Sequence, residues 1–517
     1  MKKFLSAEPI VKIQKSFSTP FKNAIATART CYSSKGIITD EQFDIADYQH
    51  LAKSIYEAGH HTVFSHAYFQ FEISNISRHF VWSFLHSHPF YNSEQISQRY
   101  VEVKEGNVAI PPLEGEALDV YLETVRFQMD TYRQLIDLLL PITESKYHKR
   151  FPARTSHREK YAKDIKRKAQ EVARYILPVA VFAYMYHTIS GITLLRYNRL
   201  CEQYDTPLEQ KLVVSKMIDE LLKIDPLYKT ILEDTIELEQ TPEFEFFTSH
   251  QEQLTHRTKK TFLEEFDESL DGRISKLIDY KVNNEKILAH SVREVLGVGS
   301  DILSDDEAID IVLNPARNKL LGESLVLTTH SKLARTLYHP SYTFRKKLSH
   351  AADSQDQRHR MTPASRPCLH AHFTEEPDYI IPELMKQDEA VQRVYDRAMD
   401  KVWSNIRRLK SLSVSDEFAM YLLPNATAIR FTESSDLLNI HHKLEMRLCY
   451  LAQEEIWHAS LDEAQQIREI NPRIGRYLLP PCSVRDIAGT RPICPEGKRF
   501  CGVKVWKLDI GQYQRII

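Results

Sequence analysis

The chain has 517 residues, 42% apolar and 27% charged, a length that calls for two or three domains and a composition ordinary for a globular protein. A formal charge of −2 gives no global attraction to nucleic acid or anionic membrane, and only 14 glycines argue against glycine-rich phosphate loops and for a helix-rich fold. No uncharged apolar run reaches the roughly 18 residues of a membrane span. The start, MKKFLSAEPIVKIQ, lacks the apolar core of a secretory signal, and seven cysteines suggest no disulfide framework, so the cytoplasm is the expected location.

In chain order, AYFQFEIS (67–74) alternates Phe69, Phe71 and Ile73 with polar residues and predicts a half-buried strand. A helix is expected through ISRHFVWSFLHSH up to Pro89, then a polar loop YNSEQISQRY (91–100). Long helices are expected at VYLETVRFQMDTYRQLIDLL and KAQEVARYILPVAVFAYMYHTI, the second kinked at Pro178. The segment 226–310 is charged and reads as a helical connector without motifs. The order then repeats: strand SYTFRK (341–346), helix LSHAADSQDQRHR (348–360), a proline-broken loop, helix DEAVQRVYDRAMDKVWSNIRRL, and DEFAMYLLPNATAIRF with its own Leu-Pro break. The pairing of VARYILPVAVFAY with FAMYLLPNATAIRF is the best sign of duplication. Two arginines flanking a histidine at 358–360, with no carboxylate at i+4, suit either a solvated helix end or an anion site.

ATARTCY (26–32), GHHT (59–62), SEQISQRY, VARYILP, QDQRHR and LEMRLCYLAQEEI (444–456) together resemble the flavin-dependent thymidylate synthases, over about 26–225 and 340–480. That resemblance implies an α+β fold of two tandem thymidylate synthase-complementing-protein-like domains, each a small antiparallel sheet with long helices, paired as a pseudo-dimer. The domains would be 1–225 and 311–517 with its cysteine-bearing tail, joined by 226–310. The family's Arg-His-Arg triplet has become Ser87-His88-Pro89 in the first half but stands as Arg358-His359-Arg360 in the second. Its Ser-x-Arg-Tyr stretch survives as Ser97, Arg99 and Tyr100 and is Cys368-Leu369-His370-Ala371 in the second half. The arginine before Leu-Pro is Arg174 in one half and Met420 in the other, and the late-helix arginine is Cys201 and then Arg447.

The losses are complementary, so the resemblance implies one composite site. Gln95, Ser97, Arg99 and Arg174 of the first half and Gln355, Arg358 and Arg447 of the second would bind dUMP. Arginine suits that task through permanently charged, bidentate donors. Arg447 would be catalytic, stabilising negative charge as uracil N3 ionises. His60, Thr62, Arg358, His359, Arg360, Asp436 and His442 would hold FAD, with NADPH and methylenetetrahydrofolate as co-substrates. The implied reaction is reductive methylation of dUMP to dTMP, and the implied assembly a homodimer, with no membrane or nucleic-acid partner. Two alternatives stay open: a relative that binds flavin or nucleotide in a regulatory role without methylating, and a helical RNA-binding scaffold.

Cys482, Cys494 and Cys501, with Cys449 or His458, lack the spacing of a zinc ribbon, and no metal is assigned. The run 146–174 carries eleven Lys/Arg against three Asp/Glu. It reads as a solvated insertion or a polyanion-binding surface, for polyglutamylated folate or RNA.

Overall fold

The computed structural model describes residues 3–103 and 106–515. The first half comprises β1 (Ile10–Ser16), β2 (Tyr68–Ser77), α1 (Arg78–Leu85), β3 (Asn92–Gln95), α2 (Gly115–Arg150), α3 (Arg158–Ala173), β4 (Phe182–Ser190) and α4 (Leu208–Ile224). There follow α5 (Pro242–Ser249), α6 (His256–Ser269), β5 (Ser275–Tyr280), α7 (Asn284–Leu296) and α8 (Asp305–Leu313). The rest is built on β6 (Ser341–Ser349), α9 (His350–Asp356), β7 (Ala364–Ser365), α10 (Glu389–Ser411), β8 (Ala428–Asp436), α11 (Leu437–Arg447) and α12 (Glu454–Ile470).

Two four-stranded antiparallel sheets share one topology, β1-β2-β4-β3 and β5-β6-β8-β7. In β2 the expected alternation holds, with Phe69, Phe71 and Ile73 fully buried. The polar stretch 91–100 is not all loop, since Asn92–Gln95 pairs with β4. The segment 226–310 is likewise not all helix. Its β5 pairs with β6, and Leu288, Val292, Ile309 and Val312 of α7 and α8 pack into the apolar core of the second half.

The two Leu-Pro sites differ most from expectation. Neither is a kink within a helix: at both, the helix stops and a strand follows. Leu177 and Leu423 are extended (ψ 137° and 132°), as a residue before proline is forced to be. Beyond the prolines, FAYMYHTIS alternates in burial as a strand does. The two segments then pair with each other. Val179 N donates to Leu423 O (2.8 Å) and Asn425 N to Leu177 O (2.8 Å), while Ala180 and Ala426 donate to Tyr421 O and Tyr175 O (3.0 and 2.9 Å). This reciprocity places a pseudo-twofold axis between Pro178 and Pro424.

The same axis relates two buried glutamates, each 31 residues beyond its proline. Glu209 accepts from N and Oγ of Ser77, the N-cap of α1, and from Tyr421 of the other half (2.6, 2.5 and 3.0 Å). Glu455 accepts from N and Oγ of Ser349, the N-cap of α9, and from Tyr175 (2.7 Å). The largest apolar core lies across the axis, where Tyr121, Met129 and Tyr132 of α2 join Tyr395, Trp403 and Ile406 of α10. The halves therefore meet through a domain-like core, the character of an obligate interface.

Candidate active site

The α9 helix ends at Asp356, earlier than the sequence suggests, so Arg358-His359-Arg360 lies in the turns beyond it. A buried charge cluster holds this turn. Lys443 Nζ donates to Asp356 (2.9 Å) and Glu433 (2.6 Å), and Lys346 to Glu433 (2.7 Å) and Glu463 (2.6 Å). Asp356 O in turn accepts from His359 N (3.0 Å), and His359 O from the Thr362 hydroxyl (2.7 Å).

The triplet reaches the other half. Arg358 pairs with Glu94, while Arg360 donates to Pro89 O (3.3 Å) and Asn92 Oδ1 (3.1 Å) and lies over the Tyr91 ring. Arg99 reaches back, pairing with Glu171 (2.8 Å) and donating to Leu451 O (2.9 Å). A cavity of about 550 Å³ opens between these contacts. Its walls include Gln95, Ser97, Arg99 and Arg174 from the first half, and Gln355, Arg358, His359, Arg360, His442 and Arg447 from the second.

His60, Thr62 and Asp436 do not line it. The GHHT turn is anchored by Phe64, fully buried and packed on Phe21 and Tyr56, while Gly59, His60 and Thr62 are exposed. Asp436 is used as the N-cap of α11, accepting from N and Nδ2 of Asn439 (2.9 and 2.8 Å). Among the wall residues that the sequence reading does not assign to the site are the polar side chains of Arg78, Gln98 and Asn439. Arg78 opens α1, is buried, and donates to Gln95 Oε1 (2.8 Å) and Ile96 O (2.5 Å). Its signal was an arginine directly after a capping serine, at the head of an otherwise apolar helix.

The electrostatics are those of a site short of negative charge. Burial pushes Arg78 and Arg447 down to about 10, with Arg174 acting further on the first and Arg99 and Arg358 on the second. Burial lowers Arg174 too. For Arg99 burial opposes the charge, but Glu171 outweighs it and raises the value. Burial and then Arg447 hold His359 well below the usual imidazole range, so its ring is neutral. Arg78 Nε, Arg174 Nη2, Gln355 Oε1, His359 Nε2 and Arg447 Nε are buried and unpartnered in the protein. The guanidinium nitrogens among them are unsatisfied donors whose penalty an anionic ligand removes, whereas Gln355 Oε1 is an acceptor that calls for a ligand N–H or O–H.

The pseudo-symmetric location is filled. Cys201 stands where Arg447 does, counted from the prolines, and just beyond it Tyr204 stacks on Phe247 of α5 (4.1 Å) and leans on His370 (4.3 Å). Asp205 accepts from Leu369 N (3.0 Å), and Lys259 of α6 donates to His370 O (2.9 Å). The segment between the halves thus packs over Cys368–His370, the degenerate counterpart of Ser97–Arg99. Elsewhere, Cys449, Cys482, Cys494 and Cys501 border a cavity of about 20 Å³, but among the described residues no group of three or more such side chains could hold a metal ion. No described helix is long and apolar enough to cross a membrane.

Two α+β halves of like topology share an apolar core, and an arginine-lined cavity lies at the interface between them. A family model described as thymidylate synthase complementing protein matches residues 12–227 and again 276–473. The chain belongs to that family. It is 26% identical over 219 residues (41% of this chain, 78% of the relative) to a flavin-dependent thymidylate synthase of Saccharolobus solfataricus. It is 29% identical over 170 residues (32% and 70%) to one of Geobacter sulfurreducens, and 24% over 223 residues (42% and 83%) to one of Clostridium tetani. A solved UMP/dUMP methylase, PolB from Streptomyces cacaoi bound with 5-Br dUMP, aligns at 15% identity and a TM-score of 0.32, over 45% of this chain and 99% of that one.

Proposed function

We propose that this protein is a flavin-dependent thymidylate synthase with one composite site per chain, converting dUMP to dTMP with methylenetetrahydrofolate and NADPH. The observation that carries the reading is the meeting of Arg99 and Arg174 with Arg358 and Arg447, from opposite halves, around one cavity. The relatives' names, and the unpartnered donors that would fit a nucleotide and a flavin, support it.

In this reading Ser97, Arg99 and Arg174 hold the nucleotide phosphate, each charge-assisted contact contributing about 1.5–3 kcal/mol. Gln95, kept in place by Arg78, and Gln355 present amides to the polar edges of the ligand. Arg447 remains a cation at about 10 and stabilises negative charge on the uracil, so that C5 becomes nucleophilic. Bound FAD supplies the redox step. Arg358, Arg360 and the neutral imidazole of His359, with His442 opposite (ring centroids 6.1 Å apart), fix where the cofactor lies. Two such chains would form a homodimer, a pseudo-tetramer of four family-like halves.

Rescue of a thymidine auxotroph by the intact chain, together with a flavin spectrum of the purified protein, tests the reading. Failure of rescue by a well-expressed, flavin-loaded protein would assign it instead to a binding role without methylation.

A further inference from the structure

The composite cavity adjoins a larger chamber of about 890 Å³, with which it shares Arg99, Arg358 and Arg447 as walls. The chamber's lining carries ten Lys/Arg against five Asp/Glu, in a chain whose formal charge is −2. The added cations come from two places. Arg150, Arg154, Arg167 and Lys168 belong to the hairpin of α2 and α3, within the basic run 146–174; Lys498 and Arg499 belong to the tail, as does Arg485, which is buried and donates to Pro492 O and Ser324 Oγ. The basic run is therefore not simply a solvated face, because these four of its residues converge on a concavity. Arg154 is held rigidly, donating to the Tyr147 hydroxyl (2.6 Å) and lying over the Phe151 and Tyr161 rings (4.4 and 4.9 Å).

The carboxylates do not cancel this field. Glu171 pairs with Arg99 and Lys168 and Asp164 with Arg167, burial pushes Glu445 up to about 7, and Glu323 and Glu496 also line the wall. Arg485 aside, this leaves Arg150, Arg154, Lys498 and Arg499 as the hairpin and tail cations not taken up by these pairs. The other side of the chamber is apolar, formed by Leu320, Leu321, Val326 and Leu327. A ligand fitted to both sides has a ring system near Arg447 and an extended tail of several negative charges. Concave cation clusters walled by low-dielectric surface focus such a field.

We propose that the α2–α3 hairpin and the tail together form a subsite for the oligocarboxylate tail of the folate co-substrate, so that the protein prefers polyglutamylated over monoglutamylated folate. This rests on the thymidylate synthase reading and adds a specificity to it. The groups responsible are Arg150, Arg154, Lys498 and Arg499, with Arg167 and Lys168 beside them already engaged by Asp164 and Glu171.

The test is calorimetric titration of the flavin-loaded full chain with mono- and pentaglutamylated tetrahydrofolate at low and high salt. The pentaglutamate binds at least about tenfold tighter, and the advantage shrinks as salt screens it. In Arg150→Ala/Arg499→Ala, both exposed positions that the fold does not need, most of the advantage disappears while monoglutamate affinity and flavin content stay unchanged. Equal affinity for the two folates, or a ratio untouched by the double variant, overturns the proposal. Loss of flavin in the double variant also overturns it, by giving the basic wall to the cofactor's diphosphate. Displacement of the pentaglutamate by a short single-stranded RNA that binds more tightly overturns it in favour of RNA. A wild-type chain that holds neither flavin nor folate would bring down the underlying reading as well.

Discussion

Nine and nineteen residues beyond Pro424 stand Glu433 and Lys443; at the same distances beyond Pro178 stand His187 and Tyr197. In the second half these positions belong to a buried cluster with Lys346, Asp356 and Glu463. In the first half they are an aromatic cluster: His187 and His88 both meet the Tyr197 hydroxyl (3.2 and 2.6 Å), Phe84 packs on both rings, and burial pushes His187 down to about 3. One fold thus accommodates five charges or none at the same place. The charged version underlies the turn that carries Arg358-His359-Arg360, and the neutral one underlies a turn that has lost both arginines. Buried ion pairs give little net stability against apolar packing. Their location points to fixing the arginine turn rather than to stabilising the half.

Breaking that contrast at its strongest point should give the largest effect. Lys443→Ala leaves Asp356 and Glu433 without their best partner and should cost about 3–5 kcal/mol, read as a fall in the thermal midpoint. Tyr197→Phe removes only a neutral hydroxyl from the equivalent position and should cost about 1 kcal/mol. Similar losses for the two variants would show that the charges have no special role.

Activity should divide the halves next. Arg447→Ala should lower the rate of dTMP formation by about 100–1,000-fold. Cys201→Ala, at the pseudo-equivalent position, should leave it unchanged. Arg99→Ala should be as damaging as Arg447→Ala although 348 residues separate them in the chain. If the site is complete within one chain, mixing the two single variants restores nothing; recovery would place the site between chains.

The paired glutamates offer a smaller, pH-dependent contrast. Burial raises Glu209 from 4.5 to about 7 and Glu455 to about 6, so the folded state holds protons that the unfolded state has released. The resulting stability is complete below about pH 4.5 and is lost as pH rises through the folded values. The loss is about 3 kcal/mol for Glu209 and about 2 kcal/mol for Glu455. Denaturation curves between pH 4.5 and 8 should flatten more in Glu209→Gln than in Glu455→Gln. Equal flattening would contradict the stronger burial effect at Glu209.

Much of the contrast between the halves is legible in the sequence through its resemblance to the family's motif, against which each surviving arginine can be matched. Arg99, Arg174, Arg358 and Arg447 could be sorted into two complementary sets before any geometry was known. Arg78 was missed because its partners, Gln95 and Ile96, are brought to it by β3, a strand of four residues with no apolar alternation to announce it. Strand β4 reads as helix from the sequence because Val179–Ile189 is a nearly continuous apolar run. Periodicity alone does not separate a buried strand from a buried helix, and the proline decided it. His60 and Thr62 lie on an exposed turn outside the composite cavity, because the motif fixes only local turn chemistry and the buried Phe64 anchors the turn elsewhere.

The filled second site supplies the smallest expected effect and the sharpest count. Phe247 of α5 is only partly buried, and its main contact is the stacked Tyr204 ring. Phe247→Ala should therefore cost about 0.5–1.5 kcal/mol, the worth of an aromatic pair. Removing the ring cannot create a working second site. Position 201 has a thiol where the open site has the Arg447 guanidinium, position 420 has Met where the open site has Arg174, and His370 stands for Arg99. Flavin titration should give one equivalent per chain in wild type and in Phe247→Ala, with unchanged turnover in both. Two equivalents in the wild type would mean that the stacked Tyr204, Phe247 and His370 do not block the second location. Two only in the variant would mean that α5 is a plug over a site still competent to bind, and that the losses at 201, 370 and 420 matter for chemistry rather than for holding the cofactor.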